Sequence, residues 1–135
     1  MNETIPLSGA TEGNQVVQMT SSLELFLNVG SISATAMQTD EGIVVLEGSE
    51  ATKHLKSSMP NGYKELRDKL ISNGTLVLEG DKYIFKKNAI FDTASPAASV
   101  IVGSSISGPQ SWKNSDGKTL KDIEQERLKQ DNSNH

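Results

Sequence analysis

The sequence predicts an α+β fold: a mainly antiparallel sheet of about five strands, with two or three short helices packed on one face. Three observations predict it. Short apolar runs rich in β-branched residues are joined by turn signals, Asp40-Glu41-Gly42 and Gly80-Asp81, so neighbouring strands return as hairpins. Tyr63 to Ser72 repeats its apolar residues at helical spacing. Ser95-Pro96 then opens a run, Ala97 to Val102, that has almost no polar face.

At 135 residues and 14.5 kDa the chain suits one domain. Residues 1–22, rich in Gly, Ser, Thr, Asn and Gln, carry neither period and read as a flexible N-terminal arm. The domain is expected over 23–129, with a disordered tail at 130–135. Leu23 to Val29 is the first strand, with Leu23, Leu25, Leu27 and Val29 on one face and Glu24, Phe26 and Asn28 on the other. Ser33 to Gln38 and Ile43 to Glu47 form a hairpin, closed by Gly48-Ser49. In the helix, Tyr63, Leu66, Leu70 and Ile71 make the apolar stripe, while Lys64, Glu65, Arg67, Asp68 and Lys69 fill the other face. Gly74 ends it, since glycine tolerates the left-handed turn found there.

Thr75 to Glu79 and Lys82 to Lys86 are the last strands. Ser95 is expected to cap the apolar helix with Pro96 at its first position. A polar loop around Gly108-Pro109 leads to Trp112 in an extended piece. Thr119 and Asp122 resemble a capping box for a final helix, Leu120 to Lys129. Residues 42–49 and 74–81 agree at five of eight positions, which two hairpin strands of similar demand explain without a repeat architecture.

Charge is unevenly spread. Residues 1–52 hold no Lys or Arg and sum to −7, residues 53–87 sum to +4, and residues 88–135 to −1. The pI near 5.1 is unlike that of an obligate duplex-DNA binder, whose affinity rests on neutralised phosphates. A weak nucleic-acid contact through the middle segment stays open beside the plainer reading of a solvated lysine face. No cysteine is present, which excludes disulfides, thiolate metal sites and thiol nucleophiles. No apolar run approaches the ~18 residues of a membrane span, and no signal peptide is visible, so a cytoplasmic chain is expected.

No phosphate-binding glycine loop, nucleophile elbow or zincin motif occurs. His54 and the last residue, His135, are the two histidines, too few for a histidine metal site or a convincing Ser–His pair. The expectation is therefore no enzyme, no metal and no cofactor. Candidate partner contacts are Lys53, Lys56, Lys82, Lys86, Lys87 and Lys113, together with Ser95 and Trp112. Lys82, Lys86 and Lys87 flank Tyr83 and Phe85, a basic–aromatic mix of the kind that holds single-stranded nucleic acid, unless that aromatic face packs inward. The N-terminus of the Ser95 helix offers free N–H groups to an anion, unless Ser95 caps it. Trp112-Lys113 pairs the only tryptophan with a cation, although a lone tryptophan in an aromatic-poor chain is more often a core anchor.

Several ordered stretches carry a family resemblance. They are Gly42-Ile-Val-Val-Leu-Glu-Gly-Ser49 with Ala51; Leu66-Arg67, Leu70-Ile71 and Gly74; Phe91-Asp-Thr-Ala-Ser-Pro-Ala-Ala98 with Val100 and Gly103; Gly108 and Trp112-Lys113; and Asp116-Gly-Lys-Thr-Leu120. Over about residues 24–122 the chain resembles the domain of unknown function found at the C-terminus of GIY-YIG nuclease-like and restriction–modification-associated proteins. Two positions depart from that pattern: Ala94 replaces a proline that comes two residues later, and Ser107 stands where asparagine precedes the glycine. A turn accepts that serine, whereas a ligand contact made by the asparagine would be lost. No paired GIY and YIG segments occur. The resemblance implies an accessory module associated with nucleic acid, and the missing catalytic motifs make it non-catalytic. The alternative is a protein–protein or intramolecular docking domain of a larger nuclease-like or modification protein, with a nuclease or other protein domain as partner.

Overall fold

The computed structural model describes residues 22–133. The expected N-terminal arm, apart from Ser22, and the last two residues of the expected tail lie outside them. In chain order the elements are β1 (Leu23–Val29), β2 (Ile32–Thr39), β3 (Gly42–Val45), β4 (Glu50–Thr52), α1 (Asn61–Ser72), β5 (Leu76–Glu79), β6 (Lys82–Phe85), β7 (Ala89–Phe91), α2 (Ala94–Val102), the single turn α3 (Gly108–Ser111) and α4 (Leu120–Ser133). The α+β class and the antiparallel pairing hold. The strands form two sheets rather than one, ordered β1-β2-β3-β7 and β4-β6-β5, and every pairing is antiparallel. β4 and β7 are the additions to the expected set; three residues are too few to show a period in sequence.

Alternation decides what β1 to β3 and β7 bury. Leu25, Leu27, Ala34, Ala36, Ile43, Val45, Ala89 and Phe91 all face the core, and α2 packs on those of β2, β3 and β7. Leu23 is half-buried and Val29 is 42% exposed, so the strand's apolar face narrows to its centre. From β3 the chain turns into the small sheet through Gly48, which has φ 93. Ser49 then stands in for a strand partner: its hydroxyl accepts from the Thr35 N–H at 3.0 Å and donates to the Thr35 carbonyl at 3.1 Å. The Leu46 N–H reaches that same carbonyl at 2.9 Å. The Ser33 N–H donates to Glu50 Oε1 at 3.0 Å. Side chains thus satisfy the part of β2 that β3 leaves behind, and Ala51 goes into the core beside them.

α2 is almost entirely interior, with Ala94, Ala97, Ala98, Ser99, Val100 and Ile101 buried. Its N-cap is Thr93, without a side-chain cap bond, and Ser95 is its second residue. The expectation that Ser95 caps the helix is corrected. Its hydroxyl accepts instead from the Gly108 N–H at 2.9 Å. Pro96 consequently sits third in the helix, still within the turn where a missing N–H costs nothing. The expected polar loop contains α3, capped by the Ser107 side chain accepting from the Gln110 N–H at 3.4 Å. Gly108 packs on the Ala94 backbone so closely that a Cβ would overlap the Ala94 carbonyl.

Arg67 is a second correction. The helical wheel puts it among solvated charges, yet it is 2% exposed. Its guanidinium donates to the Val100 carbonyl at 2.9 Å and the Thr52 carbonyl at 2.6 Å, and lies 4.9 Å from the Tyr83 ring centre. It satisfies an orphan carbonyl at the end of α2 and ties α1, α2 and β4 together. Desolvation pushes its pKa below the usual arginine range, against the raising influence of Tyr83 and Asp68. The group remains a cation. The final helix runs to Ser133, beyond the expected Lys129, and Thr119 Oγ1 accepts from the Asp122 N–H at 3.1 Å at its start.

Candidate functional site

Among the sequence-predicted contact residues, register brings Lys53 and Lys82 to the same end of the small sheet, since Thr52 pairs with Lys82. Lys53 and Lys56 are exposed in the segment after β4, beside the exposed His54. Lys82 begins β6, where its Nζ meets Glu50 Oε1 at 3.4 Å and the Ser31 carbonyl at 2.9 Å. Lys86, beyond the other end of β6, is ion-paired with Glu79 on β5. Lys87 follows it, exposed. Lys113 stands off the far edge of the large sheet, its backbone bridged to Phe26 at 2.7 and 2.9 Å. Two of the six lysines are therefore held by carboxylates, and Lys82 and Lys86 lie at opposite ends of β6.

The aromatic residues face away from any such ligand. Phe85 is buried, and Tyr83 lies under Arg67. Trp112 is fully buried as a core anchor, its Nε1 donating to the Ala94 carbonyl at 3.2 Å. Ser95 is committed to Gly108. Among the described residues no group of three or more His, Asp or Glu side chains is placed to hold a metal ion.

One surface is assembled by register alone. On the solvent side of the large sheet, Met37 of β2 lies opposite Val44 of β3, which lies opposite Ile90 of β7. Glu24 of β1 extends that row, and Phe26 opposite Thr35 makes the next one, with Leu46 hydrogen-bonded to Thr35 beyond β3. Phe26, Met37, Val44 and Leu46 are half-buried, and Ile90 is 59% exposed. Side chains on the same strands but one position along are the buried core set, so among the described residues this face is the open side of a sheet whose other side is full. On the other side of the sheet, at the β2–β3 turn where Ile43 meets the helical layer, a cleft of about 430 Å³ opens over Ile43 and Leu120 between Asp40, Glu41, Asp92 and Glu124. Beside Phe26 a second cleft, of about 410 Å³, is lined by Asn28, Ser111, Lys113 and Asn114.

Comparison with known families completes the description. A family model described as Domain of unknown function (DUF4357) matches residues 25–124. The chain belongs to the DUF4357 family. No match to it is found among curated proteins or among solved structures. The DUF4357 match takes in both sheets, α1 to α3 and the first turn of α4. Within this DUF4357 domain the stretches that carried the sequence resemblance hold the fold: Gly48-Ser49 turns the chain between sheets, Arg67 clamps carbonyls, Gly108 meets α2 and Trp112 fills the core. Among the described residues no helix is long and apolar enough to cross a membrane.

The row Met37, Val44 and Ile90 escaped sequence reasoning. Its residues come from three strands, one of them, β7, too short to recognise. The available signal was the outward position of Phe26 between Glu24 and Asn28, an aromatic side chain on the polar face of an alternating strand.

Proposed function

We propose that this DUF4357 domain is a non-catalytic accessory module that docks onto a partner protein, and that the partner is a nuclease-like or restriction–modification-associated enzyme. The observation that carries the reading is the apolar outer face of the large sheet, centred on the row Met37, Val44 and Ile90. Contiguous apolar surface on a folded domain marks an interaction site more often than isolated exposed residues do. The class of partner comes from the company that domains of the resembled pattern keep, which is an argument from context rather than from a site. Direct nucleic-acid binding is the weaker reading. Lys82 and Lys86 already have carboxylate partners, and Phe85 and Trp112 offer no ring for a base to stack on.

The test uses the full chain. Gel-shift titrations with single- and double-stranded DNA and RNA at low salt should show no retardation. Affinity purification should retain a nuclease or modification enzyme on the wild-type chain and lose it with Ile90→Asn. Salt-sensitive nucleic-acid binding that Ile90→Asn leaves unchanged, with no protein lost by that variant, would refute the docking role.

A further inference from the structure

We infer that the outer face of the large sheet receives a basic amphipathic segment of its partner, apolar on one side and rich in lysine or arginine on the other. This rests on the docking role proposed above and adds the chemistry of the partner. The face itself provides the first half of the argument. Phe26, Met37, Val44, Leu46 and Ile90 lie on one side of a four-stranded sheet whose other side is filled by the core. An open apolar sheet face of this kind takes the apolar stripe of an amphipathic segment.

Charge provides the second half. β1, β2, β3, β7 and the turns between β1 and β4 contain no Lys or Arg. Their fringe is Glu24 on the face, Asp40 and Glu41 in the β2–β3 turn, Glu47 after β3 and Asp92 after β7. All five are exposed, and none is ion-paired among the described residues. Three bases border the sheet: Lys113 off the edge of β1, Lys82 with its Nζ on the Ser31 carbonyl of the β1–β2 turn, and Lys87 two residues before β7; Lys82 is already paired with Glu50.

The same charges argue against the other occupants. A second copy stacked face to face would oppose one acidic fringe with another, and nucleic acid would bring phosphates against it. A cationic amphipathic segment meets both features at once, with the apolar contact setting affinity and the fringe setting specificity and encounter rate.

The experiment is a titration of the isotope-labelled full chain, followed by amide shifts. The probes are a synthetic amphipathic lysine/leucine peptide, its glutamate/leucine counterpart and a single-stranded DNA oligonucleotide. The lysine/leucine peptide should shift amides of β1, β2, β3 and β7, and the other two should not. Two variants divide the claim: Val44→Asn with Ile90→Asn removes apolar area, and Glu24→Gln with Glu41→Gln and Glu47→Gln removes charge. Each should weaken peptide binding by about tenfold, the effect of losing one good contact, while thermal melts show both variants folded. Equal binding of the glutamate/leucine peptide on this face would overturn the basic-partner inference and leave the docking role standing. Shifts confined to another surface, DNA binding to this face, or a dimer that Ile90→Asn dissociates would each overturn it as well.

Discussion

Gly108 and Arg67 show how single residues hold the helical layer together. Gly108 lets α3 approach α2 until its Cα rests against the Ala94 carbonyl, and no side chain fits there. Gly108→Ala should therefore destabilise the fold by about 1–3 kcal/mol, toward the upper end because backbone rather than a flexible side chain must yield. The midpoint of urea unfolding measures it. Arg67 spans two carbonyls on different elements, and a lysine ammonium has no fork to do so. Arg67→Lys should leave one carbonyl buried and unpaired, at a cost of about 1–3 kcal/mol in the same measurement. A mutant as stable as the wild type would mean that neither carbonyl depends on the guanidinium.

Elements in this domain are joined by side chains where backbone ladders stop. β3 pairs only with the second half of β2, from Ala36 onward, and the chain then leaves for the small sheet. Ser49 fills the gap with two hydrogen bonds to Thr35, and Glu50 with one to Ser33. Ser49→Ala should cost about 1 kcal/mol, because the part-buried Thr35 N–H loses its partner. Hydrogen exchange at the Thr35 amide should accelerate more than at Ala36, whose N–H points to β1 rather than to Ser49. Uniform acceleration along β2 would instead indicate global destabilisation. The exposed ion pairs Lys86–Glu79 and Lys118–Glu126 belong to a different category. Each is solvated and screened, so each serves mainly to neutralise its lysine rather than to hold the fold.

Across the whole molecule, one core serves both sheets. Leu25, Val45, Ala51, Phe85, Ile101, Trp112 and Leu120 come from both sheets and the helical layer and are all buried in a single cluster. Trp112, the sole tryptophan, lies in that cluster and reports on it. Its emission should be blue-shifted in the native state and resist acrylamide quenching. Urea unfolding followed by tryptophan emission should coincide with unfolding followed by far-ultraviolet circular dichroism, the signature of one cooperative unit. Two separated transitions would show that the small sheet melts independently. The charge asymmetry visible in the linear chain also acts at this scale: the large sheet is built almost wholly from the acidic first third, so its outer face inherits that sign.

Local chemistry was enough to determine much of this protein. Alternation placed Leu25 and Leu27 inward on β1, Gly80-Asp81 gave the β5–β6 hairpin, and the unbroken apolar run from Ala97 marked the interior helix. These features depend on neighbours a few residues apart, which the sequence displays directly. Tertiary structure alone decided the division into two sheets, the burial of Arg67, the transfer of Ser95 from helix cap to Gly108 partner, and the row Met37, Val44 and Ile90. Each depends on which distant residue arrives opposite. That is fixed by strand register and close packing over separations such as the 33 residues between Arg67 and Val100, which no local pattern encodes.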